Sequence, residues 1–336
     1  MGHAKVAKLR PQLGPIIPWV LLGVVVLILP DLMRTTVATE VWIFAILALA
    51  FNLLLGYTGL LSFGQATFFG AGAYTAGLLL IHQRVHPLVA LAAAALAGGL
   101  VAALVGYLCI RRVGLYFIML TFAFNLMAYF IVYQASSITG GVDGLPGVPR
   151  PPVNLQVISW DIRPGVSYYL FVSLIFLACA LALKRVVDSP FGLVLQAIRE
   201  NEARAAALGY NTSAFKRLAF VISGAFSGLA GALYGMLFGI VPIDTIYWVT
   251  SGNVVFMTLI GGTSSFFGPV IGAIFFIWLA ETISVRWERW PLLFGLVFVL
   301  VIFFFRGGFV EVWRRLQALL PRPGRKLEPD RGPTKD

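Results

Sequence analysis

Residues 41–81 read VWIFAILALAFNLLLGYTGLLSFGQATFFGAGAYTAGLLLI and contain no charged side chain. As one straight helix this stretch would be about 60 Å long, whereas the hydrocarbon core of a bilayer is about 30 Å thick. A cluster of helix-breaking residues lies in its middle, from Gly56 through Gly59 to Gly64. We therefore predict two membrane segments, 41–56 and 64–81, with a break between them.

The rest of the chain has the same apolar character. Hydrophobic residues make up 59% of the 336 residues and charged residues only 12%, which is about half the charged share of an average soluble domain. This composition excludes a soluble globular enzyme, a disordered chain and a disulfide scaffold. We predict an all-α polytopic membrane protein with about ten membrane segments. The other segments are 16–32, 88–110, 113–133, 167–187, 217–240, 253–262, 266–283 and 290–306.

The stretch 253–283 is divided for the same reason as 41–81. It is too long for one span, and its centre, residues 261–269, reads GGTSSFFGP. Glycine, proline and short polar residues in such a cluster interrupt a helix. The result is one short segment followed by one full span.

The basic residues predict the orientation. With both termini in the cytoplasm, 19 of the 25 Lys and Arg residues lie on the inner side and 6 on the outer side, as the positive-inside rule requires. The chain then divides into a cytoplasmic N-tail (1–15), a membrane domain (16–306) and a basic cytoplasmic C-tail (307–336). Within the membrane domain, we expect 134–166 to be extracytoplasmic and 188–216 to be cytoplasmic. Helically spaced apolar and basic residues in the C-tail predict contact with membrane lipid.

Several side chains are assigned to the membrane interface. Among the acids we single out Glu281, beside a long apolar run and near its predicted outer end, and we interpret it as an interfacial carboxylate. A proton-coupled mechanism, which needs an acid at membrane depth, is therefore disfavoured. Aromatic residues near predicted span ends are expected in the interface. They are Trp19, Trp42, Trp248, Trp287 and Trp290.

Signatures of an enzyme are absent from the sequence. The chain has no G-x-x-x-x-G-K-[ST] P-loop, no G-x-S-x-G and no H-E-x-x-H, so we predict no catalytic residue and no nucleotide site. His82 and His86 are four residues apart, but two ligands do not make a metal site. We predict no metal, no cofactor on this chain and no nucleic-acid partner.

A stripe of glycines marks the segment 217–240. Spacings of three and four place these residues on one face of a helix, where a neighbouring helix can approach closely. We expect tight packing within this chain, with a subunit interface as the alternative. The residues are Gly224, Gly228, Gly231, Gly235 and Gly239.

The stretch 188–216 has balanced charge and helix-boundary residues. Ser189 and Pro190 predict a helix start, and Gly209 predicts a helix stop. Thr212 or Ser213 is expected to cap the next span. A lipid-binding helix would be strongly basic, so this stretch favours a protein partner over lipid. On composition alone, an ordinary solvated loop ranks ahead of either.

Uncharged polar residues lie inside the apolar runs. Such groups either join helices through hydrogen bonds or line a hydrated pathway, and helix breaks at glycine-rich sites favour the pathway. We predict that they line a substrate pathway. The residues are Asn52, Gln65, Thr121, Asn125 and Asn253.

Three sequence blocks carry a resemblance to a known family. The first is NLLLGYTGLLSFGQ at 52–65, continuing into GAGAY at 70–74; the second is SPFG at 189–192 with AIRENEAR at 197–204; the third is FVISGAFSGLAGAL at 220–233. Together with TGGVDGL at 139–145, these blocks resemble the LivM-type permeases of the branched-chain amino acid ABC transporters. The resemblance covers about residues 40–305.

The resemblance implies partners and a role. Permeases of this family work in the bacterial cytoplasmic membrane with a second, LivH-type permease, two cytoplasmic ABC ATPase subunits and an extracytoplasmic substrate-binding protein. Each permease forms half of the translocation pathway, and ATP and Mg²⁺ are bound by the ATPases. The segment 188–216 is then the loop that couples to the ATPase. Its candidate contact residues are Arg199, Glu200, Glu202, Ala203, Arg204 and Gly209.

Three other functions remain open on the sequence. The same family includes carriers of urea, amides and other amino acids, so an ABC permease for one of these substrates is the first alternative. A stand-alone secondary carrier or channel is the next alternative. A membrane scaffold without a transport role is the third.

Overall fold

The computed structural model describes residues 17–111, 114–155 and 158–284, together with residues 292, 295, 296 and 299. The N-tail 1–15, the C-tail 307–336 and nearly all of the predicted last span 290–306 lie outside the described residues. Helices dominate the described part. They are α1 (Ile17–Leu32), α2 (Thr35–Thr58), α3 (Gln65–Leu78), α4 (Pro87–Cys109), α5 (Leu115–Gln134), α6 (Ser136–Thr139), α7 (Gly165–Asp188), α8 (Pro190–Glu200), α9 (Glu202–Ala207), α10 (Thr212–Phe238), α11 (Trp248–Gly261) and α12 (Gly268–Ser284).

Five of these helices, α2, α4, α5, α7 and α10, are long and apolar enough to cross a membrane, by length and composition. The shorter apolar helices α1, α11 and α12 accompany them. The structure therefore confirms a multi-pass helical membrane protein. The count of ten segments and the cytoplasmic position of the termini stay predictions.

Short strands interrupt the helical pattern between α6 and α11. β1 (Leu145–Pro146) pairs antiparallel with β4 (Ile240–Val241), and β2 (Val153–Leu155) pairs antiparallel with β3 (Ile158–Trp160). These strands are two or three residues long and are exceptions within a described part that is mostly helical, as the all-α prediction expects. They lie outside the helices, where backbone N–H and C=O groups must find partners in other segments.

The α2 helix lies at the centre of the molecule. Its apolar stretch is 94% buried, whereas that of α5 is only 17% buried. Trp42 shows how deep the core reaches: it is fully buried, stacks on Phe176 and donates its Nε1–H to the Tyr169 hydroxyl at 3.0 Å. The interfacial position predicted for Trp42 is wrong, because α2 begins at Thr35 and carries this ring into the core.

Both sequence-predicted breaks separate helices in the structure. We call residues 59–64, between α2 and α3, the first joint, and residues 262–267, between α11 and α12, the second joint. Gly59 has φ +76° and Gly262 has φ +100°, a backbone region that L side chains rarely adopt. The chain can leave each helix at these positions because glycine has no Cβ.

Candidate functional site

A buried polar cluster surrounds Gln65, the first residue of α3. Its Nε2 donates to the Ser223 hydroxyl at 3.2 Å, and the Ser227 hydroxyl donates to its Oε1 at 2.7 Å. One residue later, the Ala66 N–H donates to the Ser251 hydroxyl at 2.9 Å. This backbone N–H belongs to the first turn of α3, where no intrahelical carbonyl is available. The cluster therefore fixes the start of α3 to α10 and α11.

A second polar cluster joins α5 to α3. Asn125 is fully buried, and its Nδ2 donates to the Thr67 hydroxyl at 2.8 Å and to the Ile246 carbonyl at 3.0 Å. One helical turn earlier, the Thr121 hydroxyl accepts the Phe63 N–H at 3.2 Å. Because α5 is otherwise largely exposed, these bonds supply much of its polar attachment to the core.

The remaining two predicted pathway residues have different surroundings. Asn52 is 1% exposed, and its Nδ2 lies 3.5 Å from the Ser265 carbonyl in the second joint. Asn253 is half-buried and lines a cavity of about 240 Å³ beside α2 and α12. Gln65, Thr121 and Asn125 thus cluster around the first joint and α3, whereas Asn52 contacts the second joint and Asn253 lines a cavity.

That cavity contains an acid that the sequence reasoning missed. Glu40 and Glu281 both line it, and Glu281 also lies 3.9 Å from the Arg34 guanidinium. The signal was present in the sequence, because Glu40 immediately precedes the charge-free run that begins at Val41. The structure places it within α2, which begins at Thr35.

The glycine stripe of α10 faces other helices of this chain. A Cβ on Gly224 would meet the Gly98 carbonyl oxygen of α4 at 2.8 Å, and a Cβ on Gly228 would meet the Gly98 Cα at 3.0 Å. A Cβ on Gly231 would overlap the Phe69 carbonyl of α3. Here the helix backbones approach each other as closely as glycine permits.

The last two members of the stripe differ from the others. A Cβ on Gly235 would meet the Val241 side chain of β4 at 3.0 Å, and the Ala73 carbonyl oxygen of α3 would lie 3.9 Å away. Gly239 lies beyond the end of α10 with φ +69°. It ends the helix in the left-handed conformation.

Within the segment 188–216, residues 189–210 contain two short helices, α8 and α9, and we call these residues the elbow. Asp188 is the last residue of α7, and 212–216 form the start of α10. Ser189 and Pro190 begin α8 as the sequence predicts, and Gly209 follows the end of α9 with φ +91°. The elbow bends at Asn201, whose Oδ1 accepts the Arg204 N–H at 2.9 Å and so starts a new helix. The expected cap by Thr212 or Ser213 is wrong, because the Asn211 Oδ1 accepts the Ala214 N–H and caps α10.

The six predicted contact residues of the elbow divide into two groups. Glu200, Ala203, Arg204 and Gly209 are exposed. Arg199 is exposed as well, but its Nη1 donates to the Gly56 carbonyl of α2. The Glu202 carboxylate forms an ion pair with the Lys216 ammonium at 2.5 Å, and the Lys216 side chain is only 5% exposed. Arg199 and Glu202 therefore bind the elbow to the membrane domain.

Apolar side chains also lie on the outer surface of the elbow. Leu193 is 64% exposed, Leu208 74% and Tyr210 44%. Large apolar groups exposed beside charged ones are typical of a protein contact. In the part of the chain that the structure describes, no group of three His, Cys, Asp or Glu residues is placed to hold a metal ion.

The sequence comparisons agree with this architecture. A sequence model of the family described as "Branched-chain amino acid transport system / permease component" matches residues 33–305, which include both joints and the elbow. The chain belongs to this permease family. The resemblance inferred from the three sequence blocks is thereby confirmed.

The permease is similar to several curated proteins. It is 28% identical to the high-affinity branched-chain amino acid transport system permease protein LivM of Salmonella typhimurium and to that of Escherichia coli, over 87% of this chain and 71% of each relative. It is 26% identical to the autoinducer 2 import system permease protein LsrC of Photorhabdus laumondii, over 39% of each chain. No solved structure matches significantly.

Proposed function

We propose that this permease forms half of the translocation pathway of an ABC importer for branched-chain amino acids in the bacterial cytoplasmic membrane. ATP hydrolysis on two partner ATPase subunits drives it, and ATP and Mg²⁺ are bound there. A second, LivH-type permease completes the pathway, and an extracytoplasmic binding protein delivers the substrate. The observation that carries the proposal is the exposed elbow in a chain of this family.

The elbow has the properties that an ATPase contact requires. It presents Leu193, Leu208 and Tyr210 together with the exposed charges of Glu200 and Arg204. An apolar centre with a charged rim is the usual composition of a protein–protein interface. Its inner face is fixed to α2 by Arg199 and to α10 by the Lys216–Glu202 pair, so a force on the outer face is carried into the membrane domain.

The two polar clusters support a role in moving helices as well as in joining them. Gln65 and Asn125 hold the start of α3, immediately after the first joint. In the proposed cycle, α3 and α5 move as a unit when the first joint bends. The substrate pathway assigned to Asn52, Gln65, Thr121, Asn125 and Asn253 remains part of the proposal.

A stand-alone carrier is the second candidate, and one observation favours it. Glu40 and Glu281 line one cavity, and paired acids at membrane helices are typical of ion-coupled carriers. An importer of the same family for another substrate is a further alternative, because part of the chain is also similar to an autoinducer 2 permease.

Co-purification and reconstitution distinguish these functions. The permease is expressed with a candidate LivH-type permease and candidate ABC ATPases, with or without replacement of residues 198–209 by a Gly/Ser stretch. We expect the ATPases to co-purify with the wild type and to be lost on replacement. A control variant replaces Asp161 and Arg163, an exposed ion pair before α7, with alanine and retains them.

Uptake assays then identify the substrate and the energy source. Proteoliposomes with the full complex and a binding protein should accumulate leucine, isoleucine or valine only with internal ATP. Uptake by the permease alone under an ion gradient would replace the proposal with the secondary carrier. ATP-driven uptake of another solute would keep the importer and change the substrate.

A further inference from the structure

Arg199 leaves the elbow and reaches the membrane domain. It lies in the last turn of α8, and its Nη1 donates to the Gly56 carbonyl in the last turn of α2. If Gly59 carried a Cβ, that atom would lie 3.2 Å from the Arg199 Cγ. The aliphatic part of the Arg199 side chain therefore covers the beginning of the first joint. We propose that Arg199 is a positioning residue that transmits movement of the elbow to both joints. The inference rests on the proposed function.

The Gly56 carbonyl is free to accept this bond for a local reason. Its intrahelical partner would be the Leu60 N–H, but that group donates to the Leu54 carbonyl at 2.9 Å because the chain turns at Gly59. The carbonyls of the last helical turn lack intrahelical donors, and a cation at this end of a helix interacts favourably with its dipole. The Arg199 guanidinium supplies both the donor and the charge.

The same turn of α2 also contacts the second joint. A Cβ on Gly56 would lie 2.8 Å from the Thr263 carbonyl oxygen and would overlap the Asn52 side chain. Asn52 in turn donates to the Ser265 carbonyl at 3.5 Å. The end of α2 therefore lies between the elbow and both joints, with backbone of the second joint packed directly on Gly56.

Contact with an ATPase and transmission of its movement then belong to different residues. Arg199, Glu200 and Arg204 are all exposed, but among these three, within the described residues, Arg199 alone has a side-chain hydrogen bond to α2. When a partner displaces the elbow, the Arg199–Gly56 bond requires the end of α2 to follow. Without that bond, the elbow can move while the joints keep their positions.

The test measures uptake and ATP hydrolysis in the same proteoliposomes, with the full complex. For Arg199→Ala we expect unchanged co-purification of the ATPases, with uptake per ATP hydrolysed reduced about tenfold, the factor equivalent to about 1.4 kcal/mol and near the lower value for a hydrogen bond to a charged group. Arg199→Lys, which keeps a cation but not the planar fork, should fall between.

Two further variants serve as comparisons. Arg185 is exposed at the end of α7 and has no side-chain hydrogen bond or ion pair within the described residues, so Arg185→Ala should match the wild type. Arg204→Ala should instead reduce co-purification of the ATPases. This reciprocal pattern separates transmission by Arg199 from docking by Arg204.

Each result has a definite reading. Wild-type uptake per ATP in Arg199→Ala overturns the inference and leaves the proposed function standing. If Arg199→Ala fails to assemble while Arg199→Lys couples like the wild type, Arg199 has only a structural role, which also overturns it. If the wild-type permease binds no ATPase at all, the proposed function itself fails.

Discussion

Alanine at Gly98 should destabilise the protein far more than alanine at Gly99, although the two residues are neighbours in α4. A Cβ on Gly98 would lie 2.9 Å from the Gly228 Cα and 3.1 Å from the Gly228 nitrogen, and would overlap the Gly224 carbonyl. These are backbone atoms of α10, which cannot move aside as a side chain can. A Cβ on Gly99 would lie 3.5 Å from the Ala225 Cβ, an ordinary van der Waals contact.

The contacts set the size of the difference. Forcing an extra methyl group into a packed core costs about 1–3 kcal/mol, and Gly98→Ala belongs at the upper end because α10 itself must shift. Gly99→Ala meets no such obstacle, and the helix-propensity gain of up to about 1 kcal/mol is common to both positions in α4, so it cancels from the difference. At about 1.4 °C per kcal/mol, from an unfolding entropy of about 2.1 cal/mol/K per residue over 336 residues, a difference of about 3 kcal/mol corresponds to about 4 °C in apparent melting temperature.

The assay is thermal unfolding of each purified variant in one detergent, followed by tryptophan fluorescence and by the retained monodisperse fraction. The double variant Gly98→Ala, Gly228→Ala should melt below either single variant, because both new methyl groups enter the same helix crossing. Equal melting temperatures for Gly98→Ala and Gly99→Ala would refute the close α4–α10 packing on which this reasoning depends.

Three further predictions concern polar contacts. Arg150 donates from Nε to the Met236 carbonyl at 2.5 Å and stacks over the Tyr168 ring, so Arg150→Ala should make the loop 134–166 more sensitive to protease, whereas Arg163→Ala, whose ion pair with Asp161 is exposed, should not. Gln65→Leu should cost about 0.6–1.7 kcal/mol, the range for hydrogen bonds between membrane helices, measured as a lower melting temperature; an unchanged value would show that the cluster adds no stability. Lys216→Met should assemble nearly as well as the wild type, because methionine fills the buried site of the lysine stem and the Glu202 carboxylate, 40% exposed, stays hydrated without its partner. Lys216→Glu should fail to assemble, because it buries a second carboxylate beside Glu202; size-exclusion chromatography checks both variants.

Local chemistry explains the parts of the fold that the sequence predicted well. Both joints follow from glycine and short polar residues inside apolar runs, since these residues interrupt a helix wherever they occur. The start of α8 at Ser189 and Pro190 follows from cap preferences. The bend at Asn201 has the same kind of signal, an N-cap side chain, but the sequence reasoning treated 193–209 as continuous.

The candidate site depended on more distant contacts. The polar residues Gln65 and Asn125 were selected correctly as unusual, but whether they bind water or protein depends on partners far along the chain, Ser223 and Ile246. Asn52 and Asn253 carry the same chemistry and have different surroundings in the structure. Side-chain type limits what a group can bind, and packing decides what it does bind.

By itself, the sequence determined the membrane class, the family and the positions of the helix breaks, because each depends on composition or on a few adjacent residues. Only the tertiary structure decided which side chains turn inward. It buries Trp42 in the core and directs Arg199 to α2 and Glu202 to α10. The contacts of Arg199 and Glu202 join residues that are 143 and 14 positions apart in the chain. The hydrophobic pattern of an almost uniformly apolar helix does not specify its inward face, so packing between helices has to supply it.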